Sequence, residues 1–195
     1  MTIDHIGYFL FPEIKIFRII GRLAFPLFLY LSHEAYLHTS NRRKYAERLF
    51  YLGVITQLVT MAFTKNNDSN AFITLAVCFM MVWMLDEKQY LWAVIIVLAG
   101  LAVNMQFGLY GVLLMAAFHF LKDDWGKICL CWLILNFVFC RFTRFSNSQY
   151  FSIVAAALLM MYNGQAGCRK YKYWFYVYYP LHVVILYFIK VLLHD

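Results

Sequence analysis

The chain of 195 residues is too apolar to form a soluble globular protein. Hydrophobic residues make up 64% of it and charged residues 14%, whereas soluble domains contain about 45–50% and about 25%. Its net charge of +7 is explained more simply by loops that face anionic lipid than by nucleic-acid binding.

The apolar residues form continuous runs rather than alternating with polar ones. Inside a bilayer every backbone amide must be paired within the chain, so a spanning element is a helix or a closed barrel, and barrel strands alternate. The sequence therefore predicts an all-α polytopic transmembrane helix bundle with about eight or nine hydrophobic segments, several of them short, in one domain over residues 1–195. In chain order the segments are Ile3–Phe11, Ile16–His38, Tyr45–Phe63, Ala71–Leu85, Tyr90–Val103, Phe107–Leu121, Ile128–Cys140, Tyr150–Tyr162 and Trp174–Leu193.

Basic residues are distributed unevenly between the two sets of loops. One set contains residues 42–48, 88, 122–127 and 169–172 and carries ten lysines and arginines, whereas the loops and ends of the other set carry six. The positive-inside rule predicts that the first set faces the cytoplasm.

Ionisable residues near the amino end lie where lipid is expected, and such residues usually face the bundle interior and mark function. Asp4 and His5 are adjacent, and Arg18 and Arg22 share one helix face. These four residues predict a polar pocket in which His5 is a general base, a carboxylate such as that of Asp4 orients it, and the arginines bind an anion or stabilise an oxyanion. The alternative is that Asp4 only pairs with an arginine and that His5 lies near the membrane surface.

Further polar residues are weaker candidates. Glu34 lies four residues before His38, Asn104 interrupts two apolar segments, and His182 follows Pro180 inside the last one; each is a candidate substrate ligand, and Asn104 could instead cap a helix. Arg42, Arg43 and Lys44 could bind the phosphates of a soluble cofactor, although setting the topology is their ordinary role. The five cysteines have neither zinc-site spacing nor a disulfide framework, so no metal is predicted.

Several stretches resemble the TraX family of membrane proteins. The resemblance covers the first fifty residues and the last helix, with weaker similarity around Asn104 and Tyr110. The stretches are Thr2-Ile3-Asp4-His5-Ile6-Gly7, Arg18-Ile19-Ile20-Gly21-Arg22-Leu23-Ala24-Phe25-Pro26, Asn41-Arg42-Arg43-Lys44-Tyr45, Gly108-Leu109-Tyr110-Gly111 and Tyr179-Pro180-Leu181-His182. Fewer apolar residues precede Asp4 than is usual in the family, so we expect a first helix that is too short to cross a bilayer alone.

The resemblance implies a function, because the name-giving member of the family acetylates the amino terminus of conjugative pilin, and a fimbrial assembly protein is grouped with it. It implies a multi-pass acetyltransferase of the bacterial inner membrane that uses acetyl-CoA, with pilin or another envelope substrate as acceptor and membrane lipid as surroundings. The implied catalytic residues are His5, Asp4 and Arg22, with Asn104 as a second candidate oxyanion donor. Substrate contacts are expected from Arg18, Glu34, Asn104, Tyr110, Tyr179 and His182, and cofactor contacts from Arg42, Arg43 and Lys44.

Three other functions fit the same residues. A non-enzymatic factor for pilus or envelope assembly needs the bundle but no acetyl-CoA. A small transporter would use His5 and Arg22 as proton or anion sites. An acyltransferase could also act on a cell-envelope sugar or lipid, since no motif identifies the acceptor.

Overall fold

The fold is entirely helical in the part of the chain that the computed structural model describes, namely residues 1–63, 70–122, 124–143, 145–165 and 174–194. This confirms the all-α prediction. The α-helices are α1 (Thr2–Phe9), α2 (Lys15–Gly21), α3 (Ala24–His38), α4 (Arg42–Phe63), α5 (Ala71–Asp86), α6 (Tyr90–Ala102), α7 (Gly108–Leu121), α8 (Trp125–Phe142), α9 (Val154–Met160) and α10 (Trp174–His194), and a 3-10 helix (Asn147–Ile153) precedes α9.

Among the described residues, two helical stretches are long and apolar enough to cross a membrane, judged by length and composition. They are Lys15–His38, which combines α2 and α3 over 24 residues, and Trp125–Phe142, with 18 residues. Shorter apolar stretches of 10–17 residues are Ala71–Asp86, Tyr90–Ala102, Gly108–Leu121 and, within α10, Val177–Leu193. Several predicted segments are therefore short helices, as expected.

The long segment predicted over Ile16–His38 contains a break at Arg22 and Leu23. Pro26, four residues after Arg22, causes it, because a proline has no N–H for the carbonyl four residues earlier and its ring collides with that carbonyl. Pro26 itself lies in the first turn of α3, where no such hydrogen bond is needed. The break falls directly after Gly21, and Arg22 and Leu23 keep right-handed helical dihedral angles across it.

The segment predicted as one helix over Tyr150–Tyr162 also differs from the structure. It begins earlier, as the 3-10 helix that starts at Asn147, and continues as α9, which ends at Met160. The side chain of Ser146 accepts a hydrogen bond from the backbone N–H of Ser148. Such local side-chain bonds compete with the α-helical pattern, which explains the tighter first turns.

Helix α5 lies at the centre of the bundle and contacts α3, α4, α6 and α7. Its side chains at Cys78, Phe79 and Val82 are completely buried. The amino end of α5 is fixed by Asn70, whose side-chain oxygen accepts from the N–H groups of residues 72 and 73 and whose amide donates to the carbonyl of Gly53. A rigid central helix therefore separates two ends of the bundle, and each end carries a polar cluster.

Helices α1 and α2 approach each other closely because two glycines lie between them. A Cβ atom on Gly7 would lie 2.6 Å from the Cβ of Phe17, and one on Gly21 would collide with the side chain of Asp4. Only a residue without a side chain fits at either point. These two glycines bring Asp4 against the arginines of α2.

Candidate functional site

Asp4 pairs with both arginines that the sequence singled out. Its Oδ1 lies 2.9 Å from a terminal nitrogen of Arg18 and 3.4 Å from one of Arg22. The side chains of Asp4 and Arg22 are only 17% and 15% exposed. One carboxylate against two guanidinium groups leaves one positive charge in excess.

Arg22 also has a free hydrogen-bond donor. Its Nε is buried and has no partner among the described residues. A buried, unpaired N–H is costly unless an acceptor is supplied. Together with the excess positive charge, it makes this corner suited to an anion.

His5 forms a hydrogen bond with His182, which lies 177 positions later in the chain. Nδ1 of His5 is 2.9 Å from Nε2 of His182, and Nδ1 of His182 is 3.0 Å from the backbone carbonyl oxygen of Tyr178. A carbonyl oxygen only accepts, so Nδ1 of His182 carries the proton, and its Nε2, in a neutral ring, is an acceptor. Nδ1 of His5 must then donate, which leaves the lone pair of its Nε2 as the basic atom of this chain.

Aromatic rings enclose the two histidines. Tyr179 packs edge-on against both rings, at centroid distances of 6.0 Å from His5 and 5.1 Å from His182, and Tyr178 stacks on His182 at 5.2 Å. His182 and Tyr179 are only 5% and 8% exposed. The rings restrict water and hold the imidazoles in one orientation. We call Asp4, His5, Arg18, Arg22, Tyr179 and His182 the amino-terminal site.

One role predicted for Asp4 is wrong in this structure. The residue that orients His5 is His182, whereas Asp4 accepts from Arg18 and Arg22. Two guanidinium groups attract a carboxylate more strongly than a neutral imidazole does. Asp4 therefore positions the arginines, and His182, which we expected as a substrate ligand, positions His5.

A second polar cluster lies at the other end of α5, about 21 Å along the helix axis from Phe72, which packs on Tyr179. Asp86 accepts a hydrogen bond from the hydroxyl of Tyr36, and its Oδ1 is 3.0 Å from Nε2 of His119. Nδ1 of His119 is 3.4 Å from Nε2 of His33. Partial burial raises the pKa of the Asp86 carboxyl, but the bonds from Tyr36 and His119 outweigh this and hold it below its usual value.

This cluster borders a cavity of about 370 Å³ lined by Tyr30, His33, Glu34, Asp86, Phe118, His119 and Lys122, among others. We call these residues the Asp86 site. Glu34, which we predicted as a substrate ligand, belongs to the Asp86 site rather than to the amino-terminal site, because it lies twelve residues beyond Arg22 along α2 and α3. Its carboxylate is 3.6 Å from Nε2 of His38.

The predicted cofactor residues lie at the same end as the Asp86 site. The guanidinium of Arg42 covers the ring of Tyr36 at 4.4 Å, and Arg43 forms an exposed ion pair with Glu47 at 2.8 Å. Lys44 borders an open cleft of about 610 Å³ together with Arg48. The structure does not bring these residues together with His5.

Two predicted substrate ligands have other environments. Tyr110 is fully buried, and its hydroxyl is hydrogen-bonded to Asn136 and to the indole of Trp132, so it offers no group to a substrate. Asn104 is exposed in the turn after α6, with φ of 50°. Asparagine tolerates this left-handed conformation better than most residues, which accounts for its presence there.

Comparisons with known proteins identify the family of the chain. The model of the family described as TraX protein matches residues 1–190. The chain is 42% identical over 65 residues to the uncharacterized protein RP591 of Rickettsia prowazekii (strain Madrid E), a match that covers 33% of this chain but only 24% of that protein. It is 22% identical to the probable fimbrial assembly protein FimC, serogroup H1, of Dichelobacter nodosus, over 95% of this chain and 89% of that protein. No solved structure matches. The chain belongs to the TraX family.

Proposed function

We propose that this chain is a multi-pass protein of the bacterial cytoplasmic membrane that transfers an acetyl group from acetyl-CoA to an amine, with His5 as general base. The observation that carries the proposal is the chain of hydrogen bonds from the Tyr178 carbonyl through His182 to His5. It leaves a basic lone pair on His5 in a neutral, enclosed imidazole, close to an arginine pair with excess positive charge.

The exposed faces of the helices support a lipid environment. On α6, Leu91, Trp92 and Leu98 are 71%, 56% and 58% exposed, and on α8 Leu130 and Phe137 are 60% and 59% exposed. Soluble monomers rarely expose contiguous apolar patches of this kind. Lipid contact on both helices favours a bundle with several spans, some of them shorter than the bilayer.

The residues supply what acyl transfer to an amine requires. The amine nitrogen attacks the thioester carbonyl carbon, the C–S bond breaks, and Nε2 of His5 accepts the proton that the amine loses. The N–H groups of Arg22 stabilise the negative charge that develops on the carbonyl oxygen. The proton then passes to the departing thiolate, so His5 is neutral again after each turnover.

The proposed donor approaches from the end that carries the basic loops. Arg42, Arg43 and Lys44 are our candidates for its phosphates, because CoA is cytoplasmic and the loop distribution predicts a cytoplasmic location for them. Helix α3, with 15 residues, spans about 22 Å. The acyl arm of the donor must therefore extend along most of the bundle to reach His5.

The acceptor is proposed to be the amino terminus of a pilin. The relative from Dichelobacter nodosus is named for fimbrial assembly, and the name-giving member of the family modifies that group. An envelope sugar or lipid is the alternative acceptor. Acetylation adds the same mass to either acceptor, so the acetylated molecule itself has to be identified.

Replacing His5 tests the reaction. We expect His5→Gln to lower acetyl transfer by about 10²- to 10⁴-fold, the usual contribution of a general base, while the protein remains in the membrane. Mass spectrometry of envelope proteins from cells that contain either variant measures the acetylated fraction. The matched control is His38→Gln, since the side chain of His38 is 74% exposed and lies outside the amino-terminal site. Full acetylation by His5→Gln would remove His5 from the mechanism.

Assembly without catalysis is the second candidate, and the extended similarity to FimC favours it. It predicts that the purified protein does not bind acetyl-CoA and that His5→Gln still supports pilus formation. Calorimetric titration of the wild-type protein with acetyl-CoA separates the two functions. Saturable binding supports the transferase.

A further inference from the structure

The order of donors and acceptors in the Asp86 site can be derived from its geometry. The Asp86 carboxylate only accepts, so Nε2 of His119 carries a proton and its Nδ1, in a neutral ring, accepts. Nε2 of His33 is therefore the donor to His119. The lone pair of His33 Nδ1 remains, and this atom is buried without a partner among the described residues.

An unsatisfied acceptor in the wall of a cavity indicates what a ligand would have to supply. His33 is 5% exposed, so this lone pair is shielded from water. A buried acceptor without a partner costs free energy, which a ligand with an N–H or O–H group would recover. The first requirement is thus a hydrogen-bond donor.

The charges around the cavity select a cation. Glu34 and Asp86 contribute two negative charges and Lys122 one positive charge, and with neutral histidines the lining carries a net charge of −1. The rings of Tyr30 and Phe118, at a centroid distance of 5.3 Å, also border the cavity. Aromatic faces attract ammonium groups. Negative charge, a buried acceptor and aromatic walls together favour a cation with N–H groups.

We propose that the Asp86 site binds a small organic cation that carries N–H groups, as a protonated primary amine does. The ammonium group lies between the Glu34 and Asp86 carboxylates and donates to His33, and its apolar part contacts Tyr30 and Phe118. A cavity of about 370 Å³ is large enough for a compact ligand. This site is separate from the amino-terminal site and does not depend on acetyl transfer.

Three probes of similar size separate charge from hydrogen bonding. We would measure binding of n-butylammonium, butyltrimethylammonium and butan-1-ol to the full-length protein in lipid nanodiscs by saturation-transfer NMR. The second probe has the charge but no N–H group, and the third has a donor but no charge. We expect n-butylammonium to bind about tenfold more tightly than either of the others, because only this probe combines the positive charge with N–H donors.

Matched variants locate the binding. Asp86→Asn and Glu34→Gln remove one negative charge each with little change in shape, and each is expected to weaken n-butylammonium binding about tenfold. Glu34→Gln is the safer variant, because it leaves the hydrogen bonds of Asp86 to Tyr36 and His119 intact. Asp124→Asn is the control, a carboxylate at the same end that pairs with Lys127 outside the cavity. Lys122→Gln removes the opposing charge and should tighten binding.

Several results would overturn the proposal. They are equal affinity for n-butylammonium and butyltrimethylammonium, an unchanged affinity in Glu34→Gln, or an equal loss in Asp124→Asn. No acetyl donor is present in these measurements, so their failure leaves the proposed transferase activity untouched. Failure of acetyl transfer would likewise leave a measured binding of the cation intact.

Discussion

The amino-terminal site and the Asp86 site contain the same order of hydrogen bonds, but the last acceptor is a different kind of oxygen atom in each. In each, one histidine donates to a second, and the second donates to an oxygen atom. That oxygen is a backbone carbonyl in the amino-terminal site and a carboxylate in the Asp86 site. The difference decides the charge that each pair of histidines faces.

A carbonyl oxygen is neutral, whereas the ionised Asp86 carboxylate carries a negative charge that attracts cations. The amino-terminal site also carries an excess of positive charge from Arg18 and Arg22, which disfavours a second proton on His5. Its histidines are therefore held neutral, as a base requires. The histidines of the Asp86 site lie in negative surroundings, which suits a bound cation. We therefore propose different chemistry for two similar pairs of histidines.

After the replacement of His5, removal of the second histidine of the amino-terminal site has the largest expected effect on acetyl transfer. His182→Leu leaves the N–H of His5 Nδ1 without an acceptor and frees the ring to adopt the other tautomer. We expect acetyl transfer to fall about 10- to 100-fold, as outer partners of a functional histidine typically contribute, with kcat reduced and KM little changed. Steady-state kinetics measures the two constants separately.

The conservative variant distinguishes positioning from packing. The amide oxygen of Gln can accept from His5, so His182→Gln should recover part of the lost kcat. Equal activity in the Leu and Gln variants would contradict the role of His182 as the acceptor for His5.

A smaller effect, on stability, is expected when Gly21, which leaves room for the side chain of Asp4, is replaced. In Gly21→Ala the new methyl group collides with Asp4, and overpacking of this kind costs about 1–3 kcal/mol. The free energy of unfolding in mixed micelles measures the loss. Gly126→Ala is the control, because its nearest new contact is 3.4 Å away and alanine favours a helix. A stable Gly21→Ala variant would mean that α1 and α2 are not packed as described.

The smallest effect is the loss of stability expected when the carboxylate of Asp86 is replaced. The pKa of Asp86 is lowered in the folded protein, so its contribution to stability is present above its ordinary pKa of about 3.9 and is lost as pH falls below it. At pH 7 we expect Asp86→Asn to cost less than about 1 kcal/mol, because the side chain is 39% exposed and solvent screens the interaction.

Thermal unfolding at pH 7 and pH 3 measures this contribution. The difference between wild type and Asp86→Asn should shrink towards zero at the lower pH. A difference of the same size at both values would show that Asp86 acts through packing rather than through its charge.

Sequence periodicity was sufficient to predict the helices and one contact of the amino-terminal site, the pairing of Asp4 with arginine. A continuous apolar run in lipid pairs its backbone amides by forming a helix. Arg18 and Arg22 are four residues apart and share a helix face, so both can reach Asp4. The break in the long helix, four residues before Pro26, is also a local effect, although we predicted one segment there. These are local consequences of backbone geometry and can be derived from neighbouring residues.

Long-range pairs could not be derived in this way. Nothing in the sequence relates His5 to His182, or His33 to Asp86 and His119, because these contacts depend on how whole helices pack. Tyr110 was misjudged for the same reason, since Trp132 and Asn136 engage its hydroxyl from another helix. A weak signal existed for the Asp86 site. Asp86 and His119 both lie within the last three residues of apolar helices, and the ends of neighbouring helices meet at the same side of a bundle.

The backbone carbonyl of Tyr178 imposes a direction on proton movement. An amide oxygen is far too weak a base to store a proton, so one that arrives at Nε2 of His5 cannot continue through His182 to the far side. It must depart from the atom at which it arrived. The proposed reaction then carries no proton across the membrane, and its rate should not respond to an applied transmembrane voltage or proton gradient.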